Sequence, residues 1–145
     1  MALAEQNVVS ARVAALASSD GIEVDMDAVL RSVDGIVQAE GALADLTAQL
    51  VSAVGTEQKP AWVMIPAALH VLVSCERTVS ALREMPHFDG VNAKYVLYGL
   101  LLHVMLLDGR ISDCEEEILL QYSWVWKLLT FNLSTLFAPF FGRLW

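Results

Sequence analysis

Tyr95-Val96-Leu97-Tyr98-Gly99-Leu100-Leu101-Leu102-His103-Val104-Met105-Leu106-Leu107 is the stretch that decides how this chain folds. It carries no charge, and only Gly99 and His103 interrupt its apolar character. A helix without a wet face must be surrounded by other helices. The run is shorter than the roughly 18 to 20 residues that span a bilayer, so residues 95–107 predict a buried central helix. That element accounts for much of the mean hydropathy of +0.51 without any membrane insertion.

On its C-terminal side Asp108-Gly109 reverses the chain. Ser112 followed by Glu115 reads as a capping box, each side chain serving an orphan amide of the next helix. Asp113, Glu116 and Glu117 add negative charge at the positive end of its dipole. This helix is expected over 113–131, and a short aromatic one over 133–141.

On the N-terminal side the spacing stays helical. Leu3, Val9, Val13 and Leu16 predict a helix over 3–17, ended by Ser18-Ser19-Asp20-Gly21. Val29, Leu30, Val33, Ile36 and Val37 form one stripe over 25–39, with Asp27, Arg31, Asp34 and Gln38 on the wet side. Gly41 interrupts, and Leu43, Leu46, Leu50 and Val54 continue the period in a short helix. Gly55 to Pro60 reads as a loop. Ile65, Leu69, Leu72, Val79 and Leu82 predict a helix over 61–85, with Pro66 near its start and Pro86 after its end. Asp-Gly pairs at 20, 34, 89 and 108 all read as turns. No alternating strand pattern persists, so the fold class is all-α, and 145 residues suit one domain spanning 1–145.

The charge balance removes whole classes of function. Net charge is −8 and the basic residues are scattered, which leaves no stripe for nucleic acid and little attraction to anionic lipid. Neither a signal peptide nor a membrane anchor is expected from this sequence. Cys75 and Cys114 read as reduced, buried thiols.

Chemistry finds little to work with. Asp108-Gly109-Arg110-Ile111 followed by Glu115 imitates half of a calcium loop, but Val104 and Leu106 stand where oxygen ligands belong. His70, His87 and His103 lack metal-ligand spacing, and His103 reads as a hydrogen-bonded core residue. No catalytic set, metal site or cofactor is expected. Trp124, Trp126 and Trp145, with Phe131, Phe137, Phe140 and Phe141, crowd the C-terminal third, as core packing or as a surface for a partner or membrane.

An apolar helical hairpin wrapped by amphipathic helices resembles the Bcl-2 family of apoptosis regulators, and three motifs carry the likeness. Asp89-Gly90-Val91-Asn92 at the head of the central helix is similar to the family's D-G-V-N-W-G-R. Ala42-Leu43-Ala44-Asp45-Leu46-Thr47-Ala48-Gln49-Leu50 is similar to A-F-S-D-L-T-S-Q-L. Leu30-Arg31-Ser32-Val33-Asp34-Gly35 resembles the BH3 motif L-R-x-x-G-D with its last two residues exchanged. The likeness covers about residues 25–131. Departures are Ala93-Lys94-Tyr95 in place of Trp-Gly-Arg, a loosened C-terminal motif at Phe140-Phe141-Gly142 and Trp145, and a shortened loop after the first helix. A short, loop-poor member of this kind is similar to versions that some large DNA viruses encode.

The resemblance implies an anti-apoptotic protein that holds BH3 helices of pro-apoptotic partners, BH3-only or Bak- and Bax-like, in an apolar groove. Carried over residue by residue, it implies a groove of Ala39, Leu43, Leu46, Leu50, Leu82, Leu97 and Tyr98, with Asn92 capping the central helix and touching the ligand. Tyr95 stands where the family's ligand-pairing arginine belongs, and Lys94 is expected to reach toward the ligand carboxylate instead. The implied location is the cytoplasm, with peripheral association at the mitochondrial outer membrane, and a homodimer is a further possible assembly. Two other readings stay open: an assembly bundle using its aromatic C-terminal surface, and a membrane-active protein inserting residues 91–131.

Overall fold

The computed structural model describes residues 3–55, 67, 90–124 and 126–127. These residues are predominantly helical, with no strand among them. The elements are α1 (Leu3–Ser19), α2 (Met26–Gln38), α3 (Ala42–Leu50), a π-helical turn (Val51–Gly55), α4 (Gly90–Met105), a 3-10 turn (Leu106–Asp108) and α5 (Asp113–Leu120). Of the helix expected over 61–85, only Ala67 is described; it is helical and half-buried against the core. The short helix expected over 133–141, Cys75, Trp145 and the phenylalanines at 131, 137, 140 and 141 lie outside the described residues.

α4 is the centre, as its lack of a wet face requires. Tyr95 through Leu106 are all buried, and α1, α2, α3 and the π turn pack against this helix. The apolar character ends one residue earlier than the sequence run: Leu107 is 52% exposed. The helix stops at Met105, and the tight 3-10 turn swings Leu107 outward before Gly109 reverses the chain at φ +92°. No helix among the described residues is long and apolar enough to cross a membrane.

α1 buries Val9, Val13 and Ala17, each four residues on, and exposes Ala11, Ala14 and Ala15. Alanine suits that outer face because it is the best intrinsic helix former. The helix outlasts the sequence expectation by two residues and closes in a Schellman motif. Gly21, at φ +70°, donates to the Ser18 carbonyl at 3.0 Å, and Ile22 donates to that of Ala17 at 2.9 Å. α2 begins at Met26 because Asp25 caps it, its Oδ1 accepting from the Ala28 amide at 3.2 Å. Val29, Val33 and Ile36 are buried on the predicted stripe, with Leu30 and Val37 at its edges. The Asp34-Gly35 pair is not a turn: it lies inside α2, where apolar residues on both sides keep the helix on the core. Gly41, also at φ +70°, redirects the chain into α3.

The three inner helices meet at Gly99. A Cβ there would stand 2.9 Å from Val33 Cγ2 and 3.5 Å from Val9 Cγ1. The absent side chain is what lets α1 and α2 approach α4 this closely. α5 starts on the predicted capping box: the Glu115 amide donates to Ser112 Oγ at 3.2 Å, and the Ser112 amide donates to Glu115 Oε1 at 2.9 Å. It pauses in a turn at Gln121, and helical residues follow at 122–124 and 126–127. Arg12 of α1 clasps Glu116 with both guanidinium arms, one of them at 3.0 Å.

His103 departs from expectation in one respect. It is a core residue, 7% exposed, but its Nδ1 makes no hydrogen bond. The Glu5 carboxylate lies 3.8 Å away, beyond hydrogen-bonding reach.

Candidate functional site

The residues assigned to the groove are brought together, but as core. Leu43, Leu46 and Leu50 recur on one face of α3 and join Leu97 and Tyr98 of α4 in a single buried cluster. Leu46 is only 1% exposed. Ala39, the C-cap of α2, is half-buried at the edge of this cluster, its amide donating to the Ile36 carbonyl. Asn92 occupies the first turn of α4. Leu82 lies outside the described residues. The α3 face is therefore closed over: a ligand reaching these leucines must first displace what they now touch.

At the head of α4 the structure builds a polar junction that local sequence does not reveal. Lys94 Nζ and the Tyr95 hydroxyl both reach Asp20 Oδ2, each at 2.9 Å. Lys94 also donates to Ser123 Oγ at 3.3 Å, while its carbonyl accepts from the Tyr122 hydroxyl at 2.7 Å. Lys94, expected to reach a ligand carboxylate, and Tyr95, at the position of the family's arginine, thus both meet a carboxylate supplied by the chain itself. A lysine beside a buried tyrosine is drawn to the nearest anion, and the Schellman turn after α1 places Asp20 there.

The tyrosines here are held in the neutral form. Burial raises the Tyr95 hydroxyl well above its ordinary range, and its hydrogen bond to Asp20 raises it further. Burial raises Tyr122 strongly. Tyr98, whose ring centroid lies 4.7 Å from that of Tyr122, is also raised by burial, against the opposing hydrogen bond with Arg12. Glu116 raises the Arg12 guanidinium in turn, so the α1–α5 clasp stays ionised.

An open groove of about 660 Å³ lies elsewhere, between α1 and the connection to α2. Ala14, Ala17, Ile22, Val24 and Met26 contribute its apolar lining and Glu23 a charge. No sequence motif pointed here, because the groove exists only where the Schellman turn folds Ile22 back across α1. Among the described residues no cluster of histidine, cysteine and acidic side chains could hold a metal ion. The junction has carboxylate, ammonium and phenol groups already satisfied by one another, an arrangement suited to tying helices together. The chain matches no family model, no curated protein and no solved structure.

Proposed function

We propose that this chain is a Bcl-2-like, anti-apoptotic binding protein that sequesters BH3 helices of pro-apoptotic proteins, without catalysis. The observation that carries the reading is the surroundings of α4. A helix buried from Tyr95 to Met105 and headed by Gly90-Val91-Asn92 is packed by α2 and by the leucine face of α3. These are the segments that bear the three family-like motifs. The proposed setting is the cytoplasm, with peripheral contact at the mitochondrial outer membrane.

The buried leucines set a condition on this function. A BH3 helix gains roughly 1.5–3 kcal/mol for each apolar anchor it buries. It spends about 2–5 kcal/mol on its own ordering. Opening α3 adds a further cost, because affinity is scaled by the fraction of molecules in the open form. α3 is suited to opening. It has nine residues and runs directly into a π-helical turn, and short helices owe their stability to packing rather than to themselves. The expected behaviour is binding restricted to helices with the strongest apolar anchors, with α3 losing amide protection on the way.

Calorimetric titration with a panel of BH3 peptides tests this. Saturable binding by at least one peptide is expected. Absence of binding on the order of tens of micromolar would end the proposal. Such a result would favour assembly through the C-terminal part, where Leu120 is 79% exposed and Trp124 54%. Sedimentation would then show a concentration-dependent oligomer.

A further inference from the structure

His103 lies near the end of α4, in the core, beneath the first turn of α1. Its Nδ1 has no hydrogen-bond partner, and the nearest charged group is Glu5 Oε2 at 3.8 Å across the α1–α4 contact. As a neutral imidazole the residue leaves one bond unmade. As an imidazolium it would bury a charge as well, which is far more costly. Among the described residues, two carboxylates face it. Burial opposes the proton most, while Glu5 of α1 and Asp34 of α2 favour it. The balance holds the imidazole below its ordinary 6.5.

We propose that His103 is an acid-operated release for the N-terminal half of α1: proton uptake drives the imidazole from beneath the helix and opens the α1–α4 contact around Glu5. The two ends of α1 differ in how they are held. Arg12 clasps Glu116, and Asp20 binds Lys94 and Tyr95, so the C-terminal half is tied to α5 and to the head of α4. The first turn has His103 as its polar neighbour, with no hydrogen bond across the gap. The sign follows from linkage. With the folded value lowered, neither state is protonated above about pH 6.5, and folding is unaffected there. As pH falls below that, the open state takes up a proton that the closed state refuses. Opening is then favoured by up to tenfold for each pH unit until the folded value is passed.

Amide hydrogen exchange of the intact protein, corrected for intrinsic rates, reads this directly. Between about pH 7.5 and about pH 5.5, a span in which histidines titrate, residues 3–11 should lose protection more than residues 12–19. His103→Gln should remove that difference, while His70 and His87 remain as internal controls. Unchanged or rising protection in the wild type would overturn the proposal, as would the same loss in the variant. Rising protection would mean that Glu5 closes on the imidazolium to form an ion pair. Should the variant not fold, the imidazole titration of wild-type His103 by NMR decides. A midpoint below about 6.5 is expected, and one at or above it overturns the proposal.

Discussion

At Gly99 one missing Cβ sets how closely three helices pack. Gly99→Ala would gain about 1 kcal/mol of helix propensity. It would also force a methyl to 2.9 Å from Val33 Cγ2, where overpacking costs about 1–3 kcal/mol. Net destabilisation is expected as a lower denaturation midpoint, and Val33→Ala in the same chain should recover part of it, giving a non-additive cycle. The buried tyrosines make a second residue-scale prediction. Tyr95 and Tyr122 have folded values raised above 10, so their contribution to stability is complete below pH 10 and is lost as pH rises beyond it. Alkaline titration should therefore show tyrosinate absorbance for these two appearing together with loss of helicity. Independent titration of Tyr122 in a folded chain would contradict its burial. Lys94 belongs here too. Its ammonium and the Asp20 carboxylate form a partly buried pair, so Lys94→Ala should cost about 1 kcal/mol of folding stability in the absence of any ligand.

The helices themselves show how far local signals reach. The capping box of α5 forms with both of its bonds, and Ser112→Ala should lower stability by about 1–2 kcal/mol. The bond lost is that from the Glu115 amide to Ser112 Oγ, while the Ser112 amide still donates to the buried Glu115 carboxylate. A thermal melt checks this; an unchanged midpoint would mean that the N-terminus of α5 is held elsewhere. The stripes of α1 and α2 were legible because a period near 3.6 survives without knowledge of the fold. Their ends were less so. The periodic stripe takes in Asp25, although its side chain is the cap. Asp34-Gly35 reads locally as a turn, although packing carries α2 straight through it. Local turn chemistry is worth less than the burial of Val33 and Ile36 on either side.

For the whole molecule, the consequence lies in the α3 leucines. Leu101→Asp should unfold the protein, since an unpaired charge at a buried site costs several kcal/mol. By the same reasoning Leu46→Glu should unfold it too, because Leu46 is as deep in the core as Leu101. It cannot serve as a change confined to a ligand surface. Circular dichroism of both variants checks this: a folded, helical Leu46→Glu would show that α3 opens at little cost. A binding probe belongs at the rim, where half-buried Ala39 ends α2. Ala39→Glu should leave helicity intact while weakening a BH3 peptide by tenfold or more, roughly 1.4 kcal/mol.

Periodicity and capping are local, so the helical class of the described residues is legible in the sequence. So are the centrality of residues 95–105, the stripes of α1 and α2, and the start of α5. These features are written within a few turns of chain, where a 3.6-residue period or a Ser-x-x-Glu spacing can be read directly. The rest depends on how distant segments pack. That packing turned Lys94 and Tyr95 onto Asp20, more than seventy residues earlier, paired Arg12 with Glu116, and left His103 without a bond to Glu5. It also decided that Leu43, Leu46 and Leu50 are packed rather than open. An apolar side chain looks the same in sequence whether it lines a groove or fills a core. The difference is set by what packs over it, and that is fixed by long-range contacts with no local signature.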